Sequence, residues 1–162
     1  MIIISMGGNL PFAGRSVAET FELALNAMRD RGIIPYRLSR LYQTKAVGPP
    51  QPDYINAVIA VQSCRTPVSV LRILHGIEYA FGRQRRELWG ARTLDLDLVD
   101  WHGQIWSSPL QLPHPRAINR AFVLLPLQDI APGWQCPVTG REIKDLIAGL
   151  SVTDKSSILQ VN

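Results

Sequence analysis

The stretch Trp89-Gly-Ala-Arg-Thr-Leu-Asp-Leu-Asp-Leu98 alternates leucine with polar residues over its second half. A period of two is the signature of a β-strand, in which successive side chains point to opposite faces. The leucines at 94, 96 and 98 are therefore predicted to face the core. Asp95 and Asp97 then lie together on the opposite face, about 6.5 Å apart along the strand.

Two carboxylates at this spacing can hold one or two hard cations between them. Mg²⁺ in proteins takes one or two carboxylates, several waters and the phosphate oxygens of its substrate. The alternative is an amphipathic edge strand whose acids are simply solvated. A site for metal and polyphosphate is favoured here because the acids follow a run of basic residues, Arg83, Arg85, Arg86 and Arg92.

The composition is that of one globular domain. The 162 residues are 46% apolar and 19% charged, which is ordinary for a chain that builds one hydrophobic core. The net charge is +4, and the arginines concentrate at 83–92 and 116–120. Clustering of this kind favours a small anionic ligand over a long nucleic acid.

Targeting and cysteine signals are weak. Cys64 and Cys136 lie far apart without a C-x-x-C motif, so neither a disulfide framework nor a zinc site is indicated. The apolar run at residues 1–6 has no basic segment before it and is too short for a signal peptide. A cytoplasmic monomer that binds neither membrane nor nucleic acid is expected.

The order of predicted elements is β-α-β-β-α-β, which is that of the ferredoxin-like α+β sandwich. Helices are expected on one face of a mostly antiparallel sheet, in a single catalytic domain spanning 1–162. A hairpin and further helices are expected to follow this sandwich toward the C-terminus. Residues 151–162 are expected to be a loosely held tail. The predicted strands cover 2–6, 33–44, 54–62 and 93–101 with a short one at 104–106, and the helices cover 16–31, 66–81, 119–127 and 143–150.

Several motifs together resemble one family of the folate pathway. These are the 89–98 stretch, Gly7-Gly-Asn-Leu10, Gln51-Pro-Asp-Tyr-Ile-Asn56, Leu112-Pro-His-Pro-Arg116 and Asn119-Arg-Ala-Phe122. In this order they are similar to 6-hydroxymethyl-7,8-dihydropterin pyrophosphokinases. The resemblance implies transfer of the β,γ-pyrophosphoryl group of ATP to the hydroxyl of the pterin, with release of AMP and with two Mg²⁺ ions.

The resemblance also assigns roles at the phosphate end of the site. Asp95 and Asp97 would ligate both magnesium ions, and Arg83 and Arg92 match the catalytic arginines. Guanidinium forks suit phosphate oxygens and keep their charge in a closed site. The residues implied to lie near ATP are His75, Glu78, Arg85, Trp89, Leu98, His114 and Arg120.

The pterin end is implied in the same way. Aromatic side chains stack well on a flat heteroaromatic ring, and an amide carries both a donor and an acceptor for the edge of that ring. Contacts from the backbone near 44–47 are implied as well. The matching residues are Tyr54 and Phe122 for stacking, Asn56 for the edge, and Thr44, Lys45 and Val47 for the backbone contacts.

Three residues depart from the family pattern. Gly8 stands where serine is usual, Ala91 where proline is usual, and Leu88 where a basic residue is common. None of the three matches a metal or phosphate ligand. Effects on loop closure and on ATP affinity are the consequences expected of them.

Two other function classes remain open at this stage. A nucleotidyltransferase also combines a glycine-rich turn with an Asp-x-Asp strand and Mg²⁺, although its turn usually lies shortly before the acids. An RNA-binding module is suggested by the predicted fold and the positive charge. Such a module would need aromatic residues at strand centres in a pattern that is absent here.

Overall fold

The computed structural model describes residues 1–46, 49–83 and 90–161. Within these ranges the chain forms six strands and five α-helices, with a 3₁₀ helix at Ala117–Asn119. The strands are β1 Ile2–Gly8, β2 Ile34–Leu38, β3 Leu41–Thr44, β4 Tyr54–Gln62, β5 Asp95–Trp101 and β6 Ile158–Val161. The α-helices are α1 Val17–Arg29, α2 Pro67–Ala80, α3 Ala121–Ile130, α4 Ile143–Ala148 and α5 Val152–Ser156. None of the described helices is both long and apolar enough to cross a membrane.

The strands form one antiparallel sheet in the order β5-β1-β4-β3-β6, and β2 also pairs with β4. One face of the sheet packs against α1 and α2 around Ile4, Met6 and Ile59. The opposite face packs against α3 and α4 around Ile3 and Val58. The prediction of helices on one face only is therefore wrong, because β1 and β4 are apolar on both faces and each face needs a cover.

Local signals place the two long helices of the first layer. Ser16 caps α1, and its side chain and that of Glu19 each accept a hydrogen bond from the other residue's backbone N–H. Thr66 caps α2, and Pro67 occupies its first turn, where a missing N–H costs nothing. Both helix starts agree with the prediction from sequence.

The alternation in β5 is confirmed. Leu94, Leu96 and Leu98 are all at most 3% exposed and lie in the core beneath α1 and α2. Asp95 and Asp97 lie on the other face of the strand, at the end where the sheet is not fully covered. The core therefore fixes the strand's orientation, and the orientation fixes where the two carboxylates point.

Two predicted strands differ from the structure. The segment 33–44 forms two strands rather than one. The Ser39 hydroxyl accepts a hydrogen bond from the backbone N–H of Val58 and so interrupts the backbone pairing with β4. The segment 104–106 forms only an isolated bridge, between Trp106 and Leu112. Prolines at 109 and 113 lack the N–H groups that a longer hairpin would need.

The segment 151–161 also differs from expectation. Instead of a loosely held tail, it forms α5 and β6, and Ser151 caps α5 by accepting the N–H of Asp154. Strand β6 pairs with β3 over four positions, from Leu41↔Val161 to Thr44↔Ile158. Four residues of strand are too short to give a periodic signal, so only the pairing with β3 reveals it.

Candidate active site

A cleft of about 330 Å³ opens on the sheet face that carries Asp95 and Asp97. Cross-strand pairing sets its floor, because Gly7 pairs with both Asp95 on β5 and Asn56 on β4. Paired residues share a face of the sheet, so Asp95, Gly7 and Asn56 form one row across three strands. The start of α3, including Arg120 and Phe122, forms the opposite wall.

Two arginines converge on Asp95. The Arg83 Nη2 atom lies 2.7 Å from Asp95 Oδ1, and the Arg92 Nη1 atom lies 2.8 Å from Asp95 Oδ2. The side chains of Arg83 and Arg92 are 17% and 25% exposed, so solvent screens these pairs only in part. The structure thus brings three of the predicted phosphate-end residues into direct contact.

The acids fit a hard divalent cation. Asp95 Oδ1 is buried and has no hydrogen-bond partner of acceptable geometry among the described residues, although Arg83 lies close to it. Asp97 lines the same cleft. Within the described ranges no cluster of three or more histidine, cysteine or acidic side chains could hold a metal. Two carboxylates completed by water and substrate phosphate is the donor set that Mg²⁺ commonly accepts, whereas an all-protein cage is not present in the described part.

Glu78 does not line the cleft, although it is predicted to contact the nucleotide. Its side chain is 2% exposed and accepts the backbone N–H of Leu96 at 2.7 Å. The same carboxylate oxygen pairs with Arg83. Burial raises the pKa of Glu78 to about 7, against the opposing effects of the Leu96 N–H and the Arg83 guanidinium. Glu78 therefore ties Arg83 to the backbone between Asp95 and Asp97.

Asn9 is a site residue to which the sequence patterns assign no role. It is 4% exposed, and its amide nitrogen donates to the Gln51 side chain at 3.0 Å and to the Pro52 carbonyl at 2.9 Å. Its side-chain oxygen accepts the Arg92 backbone N–H at 2.8 Å. Asn9 thus clamps the 51–52 loop to Arg92, and a buried asparagine following two glycines is the only sequence signal of it.

The predicted stacking and edge residues meet at the other end of the cleft. Tyr54, Asn56 and Phe122 all line it. The Asn56 amide nitrogen donates to Thr44 Oγ1 at 3.0 Å and to the Tyr42 carbonyl at 3.4 Å. Both bonds use the nitrogen, so the side-chain oxygen is left to accept from a ligand.

His114 and Arg120 stand on the α3 side of the cleft. Burial lowers the pKa of His114, with Asp97 acting to raise it and Arg120 and Arg116 acting to lower it. Burial and the neighbouring Arg116 likewise lower the pKa of Arg120. The Arg120 guanidinium lies 5.3 Å from the centre of the Phe122 ring, a cation–π distance. Arg120 lines the cleft, whereas His114 is not among the residues that line it. The Asp97 carboxylate acts to raise the pKa of both groups.

Several predicted nucleotide contacts lie elsewhere. His75 is exposed on α2 and does not line the cleft. The Leu98 side chain is 3% exposed within the core, so any contact it makes with a nucleotide comes from its backbone. Arg85 and Trp89 fall outside the described residues, as does the Leu88 departure. Val47, which is predicted to contact the pterin, also falls outside them.

Gly8, which departs from the family pattern, has a structural partner. A Cβ placed on Gly8 would lie 2.6 Å from the Thr93 carbonyl oxygen, closer than real Cβ atoms approach. That carbonyl belongs to the backbone leading into β5. Glycine here permits β1 and the entry to β5 to approach closely, and serine at this position would require the backbone to shift.

Comparison with known proteins gives one result throughout. The model of the 7,8-dihydro-6-hydroxymethylpterin-pyrophosphokinase family matches residues 3–132. A 2-amino-4-hydroxy-6-hydroxymethyldihydropteridine pyrophosphokinase of Synechocystis is 42% identical over 153 residues, covering 93% of this chain and 76% of its own. The Haemophilus influenzae protein of that name is 42% identical over 137 residues, covering 83% of each chain.

Solved structures agree at the level of the fold. The HPPK-DHPS of Plasmodium falciparum, in a structure with pterin and p-hydroxybenzoate, superposes with a TM-score of 0.75 at 13% identity. The match covers 98% of this chain but 46% of that one, so this chain spans less than half of that protein. The family model and the relatives decide the identity: this chain belongs to the 7,8-dihydro-6-hydroxymethylpterin-pyrophosphokinase family.

Proposed function

We propose that this chain transfers the β,γ-pyrophosphoryl group of ATP to the hydroxyl of 6-hydroxymethyl-7,8-dihydropterin in folate biosynthesis. The single observation that carries the proposal is the arrangement of one cleft. Asp95, Asp97 and Arg92 line one end, and Arg83 pairs with Asp95 there. The other end is lined by Asn56, Tyr54 and Phe122. This is the family's reaction, and its relatives carry its name.

The reaction forms one bond and breaks another. The pterin hydroxyl oxygen attacks the β-phosphorus of ATP, the bond from that phosphorus to the α-phosphate oxygen breaks, and AMP leaves. The hydroxyl proton passes to solvent. Charge increases on the bridging oxygen and on the equatorial oxygens of the transferred group, so catalysis depends on positioning and on positive charge.

Arg83 and Arg92 supply part of that charge. Each pairs with a different oxygen of Asp95, so both guanidiniums already point into the phosphate end. Asp95 and Asp97 would hold Mg²⁺, which would neutralise negative charge on the phosphate oxygens and so favour approach of the hydroxyl to the β-phosphorus. The Glu78 carboxylate accepts a hydrogen bond from the Arg83 guanidinium, and the Asn9 side-chain oxygen accepts one from the Arg92 backbone N–H. Both arginines are therefore fixed before substrate arrives, which lowers the entropic cost of the reactive geometry.

The pterin end determines which alcohol is accepted. The oxygen of Asn56 accepts from the ring edge, while Tyr54 and Phe122 cover its faces. About two strand spacings separate the Asn56 and Asp95 strands, or roughly 10 Å. A ring bound at Asn56 thus presents its hydroxymethyl group toward Asp95. His114 and Arg120 are proposed to meet the nucleotide from the α3 side.

The finer features of the enzyme belong to the same proposal. The strand order β5-β1-β4-β3, with β2 and β3 serving as one broken strand, supports a ferredoxin-like arrangement. We extend the proposal to two Mg²⁺ ions, a monomer, a single catalytic domain and a cytoplasmic location. Asp95 and Asp97, two carboxylates on one face of β5, would supply the protein ligands of the ions.

Product analysis tests the proposal. Purified protein is incubated with ATP, Mg²⁺ and 6-hydroxymethyl-7,8-dihydropterin, and nucleotides are separated by ion-exchange chromatography. Release of AMP that requires the pterin supports pyrophosphoryl transfer. Release of inorganic pyrophosphate would instead indicate a nucleotidyltransferase, and release of ADP would indicate a simple kinase. Either result would overturn the proposed reaction.

A further inference from the structure

The α5–β6 segment, residues 151–161, lies against the cleft although the family model ends at residue 132. Three of its residues line the cleft, Asp154, Ser157 and Ile158. Strand β6 lies on the free edge of β3, so the segment stands at the end of the cleft farthest from β5. That end is the one at which the ring is proposed to bind.

Pairing fixes which side chain of β6 faces the cleft. Ile158 pairs directly with Thr44, and Thr44 pairs with Tyr54. Paired residues share a face, so Ile158 lies on the face of Thr44 and Tyr54, about 5 Å from its neighbour. The next residue, Leu159, lies on the other face and is 67% exposed. The chain therefore presents one apolar side chain to the cleft and the adjacent one to solvent.

The segment also occupies a backbone group of the ring-binding end. The Lys45 N–H donates to the Ser157 carbonyl at 3.3 Å. The resemblance implies that backbone near Lys45 contacts the pterin, yet in this chain that N–H already has a partner. Ser157 therefore fixes the β3 end in place, and the contact surface at this end includes residues of the segment itself.

We propose that α5–β6 forms the end wall of the pterin subsite, with Ile158 packing against the ring edge opposite the hydroxymethyl group. This rests on the proposed function. The wall is apolar at Ile158, and Asp154, whose Oδ2 accepts the Ser151 hydroxyl, also lines the cleft. The 2-amino and N3–H groups of a pterin are donors that such a carboxylate accepts. A closed end of this kind favours an unsubstituted amino group and disfavours pterins alkylated there.

Steady-state kinetics with Ile158→Ala and Leu159→Ala test the wall. Ile158→Ala removes three carbon atoms and should raise the pterin KM at least about fourfold, the factor expected when burial of even one of them is lost. It should leave the ATP KM and the melting temperature near those of the wild type. Leu159→Ala, on the opposite face of the same strand, should change none of the three.

A second variant keeps the test decisive if Ile158→Ala folds poorly. Ile158→Val preserves the β-branched side chain and should give a smaller rise in the pterin KM. An N2-methyl pterin should be a poorer substrate than the parent for the wild type, and less so for Ile158→Ala. A pterin KM within twofold of the wild type in both Ile158 variants would overturn the wall, as would equal increases in both KM values. Absence of wild-type turnover would instead overturn the proposed function.

Discussion

Replacement of Glu78 by glutamine should change the pH dependence of stability in a defined direction. Glu78 is 2% exposed, and burial raises its pKa from 4.5 to about 7. Since the pKa is higher in the folded state, the stability that this group contributes is present below pH 4.5. It is lost as the pH rises through about 7. The full loss corresponds to about 3 kcal/mol.

Glutamine keeps an acceptor for the Leu96 N–H but cannot ionise. Relative to the wild type, Glu78→Gln should therefore gain about 3 kcal/mol of unfolding free energy between pH 4.5 and pH 8. For a chain of this length the gain equals roughly 6–12 °C in melting temperature. Urea unfolding at several pH values, with a chelator present, measures the difference directly.

The same substitution should lower turnover. Arg83 loses the buried carboxylate that holds it, so kcat should fall about 10- to 100-fold, as for other residues that orient a catalytic group. Glu22→Gln, exposed on α1, is the matched control and should alter neither property. Stability curves for wild type and Glu78→Gln that stay parallel across the pH range would contradict this prediction, because Glu78 would then have the same pKa in the folded and unfolded states.

Three further substitutions test the cleft. Asp97→Asn should lower turnover at least about 100-fold at saturating Mg²⁺, since a metal ligand supports several kcal/mol of charge stabilisation; near-normal rates would exclude it as a ligand. Arg92→Ala should lower kcat by about 10² to 10³ with a smaller change in the ATP KM, and a change confined to KM would assign it to ground-state binding. Asn56→Leu should raise the pterin KM about tenfold or more without affecting the ATP KM, because a buried acceptor is lost. Isothermal titration with pterin alone checks this last effect, and unchanged affinity would contradict it.

Local patterns were sufficient to predict the strand that carries the acids. The leucines of β5 alternate strictly, and a buried face leaves no freedom in register. Cap residues at Ser16 and Thr66 likewise place α1 and α2, because their hydrogen bonds involve residues within four positions of each other. Each of these signals is contained in a short window of sequence.

Features built from distant residues could not be predicted in this way. Asn9 contacts Arg92 and the 51–52 loop, which lie more than forty positions away, and nothing in its neighbours indicates those partners. Helices α3 and α4 cover the second face of the sheet because β4 is apolar on both faces around Val58. In the sequence such a strand is one continuous apolar run, which does not indicate that helices cover both of its faces. Pairing of β6 with β3 is equally remote.

The candidate site likewise contains features that the sequence indicated and features that it did not. The structure brings Arg83, Arg92 and Asp95 into contact, while the roles that the family resemblance implies for them stay predictions. The burial of Glu78 and Leu98 does not follow from the resemblance, because a motif gives residue identity and not side-chain direction. Both face the core since they lie on the apolar side of α2 and β5.

We propose that the chain transfers the β- and γ-phosphoryl groups of ATP together to the pterin hydroxyl in the Asp95–Asp97 cleft. The most direct test uses ATP labelled with ³²P at either the α- or the β-position, with product separation by thin-layer chromatography. Label from the β-position should appear on the pterin and label from the α-position on AMP, in equal amounts, and Asp97→Asn should abolish both. Transfer of the α-label to the pterin, or retention of the β-label on the nucleotide, would contradict the claim.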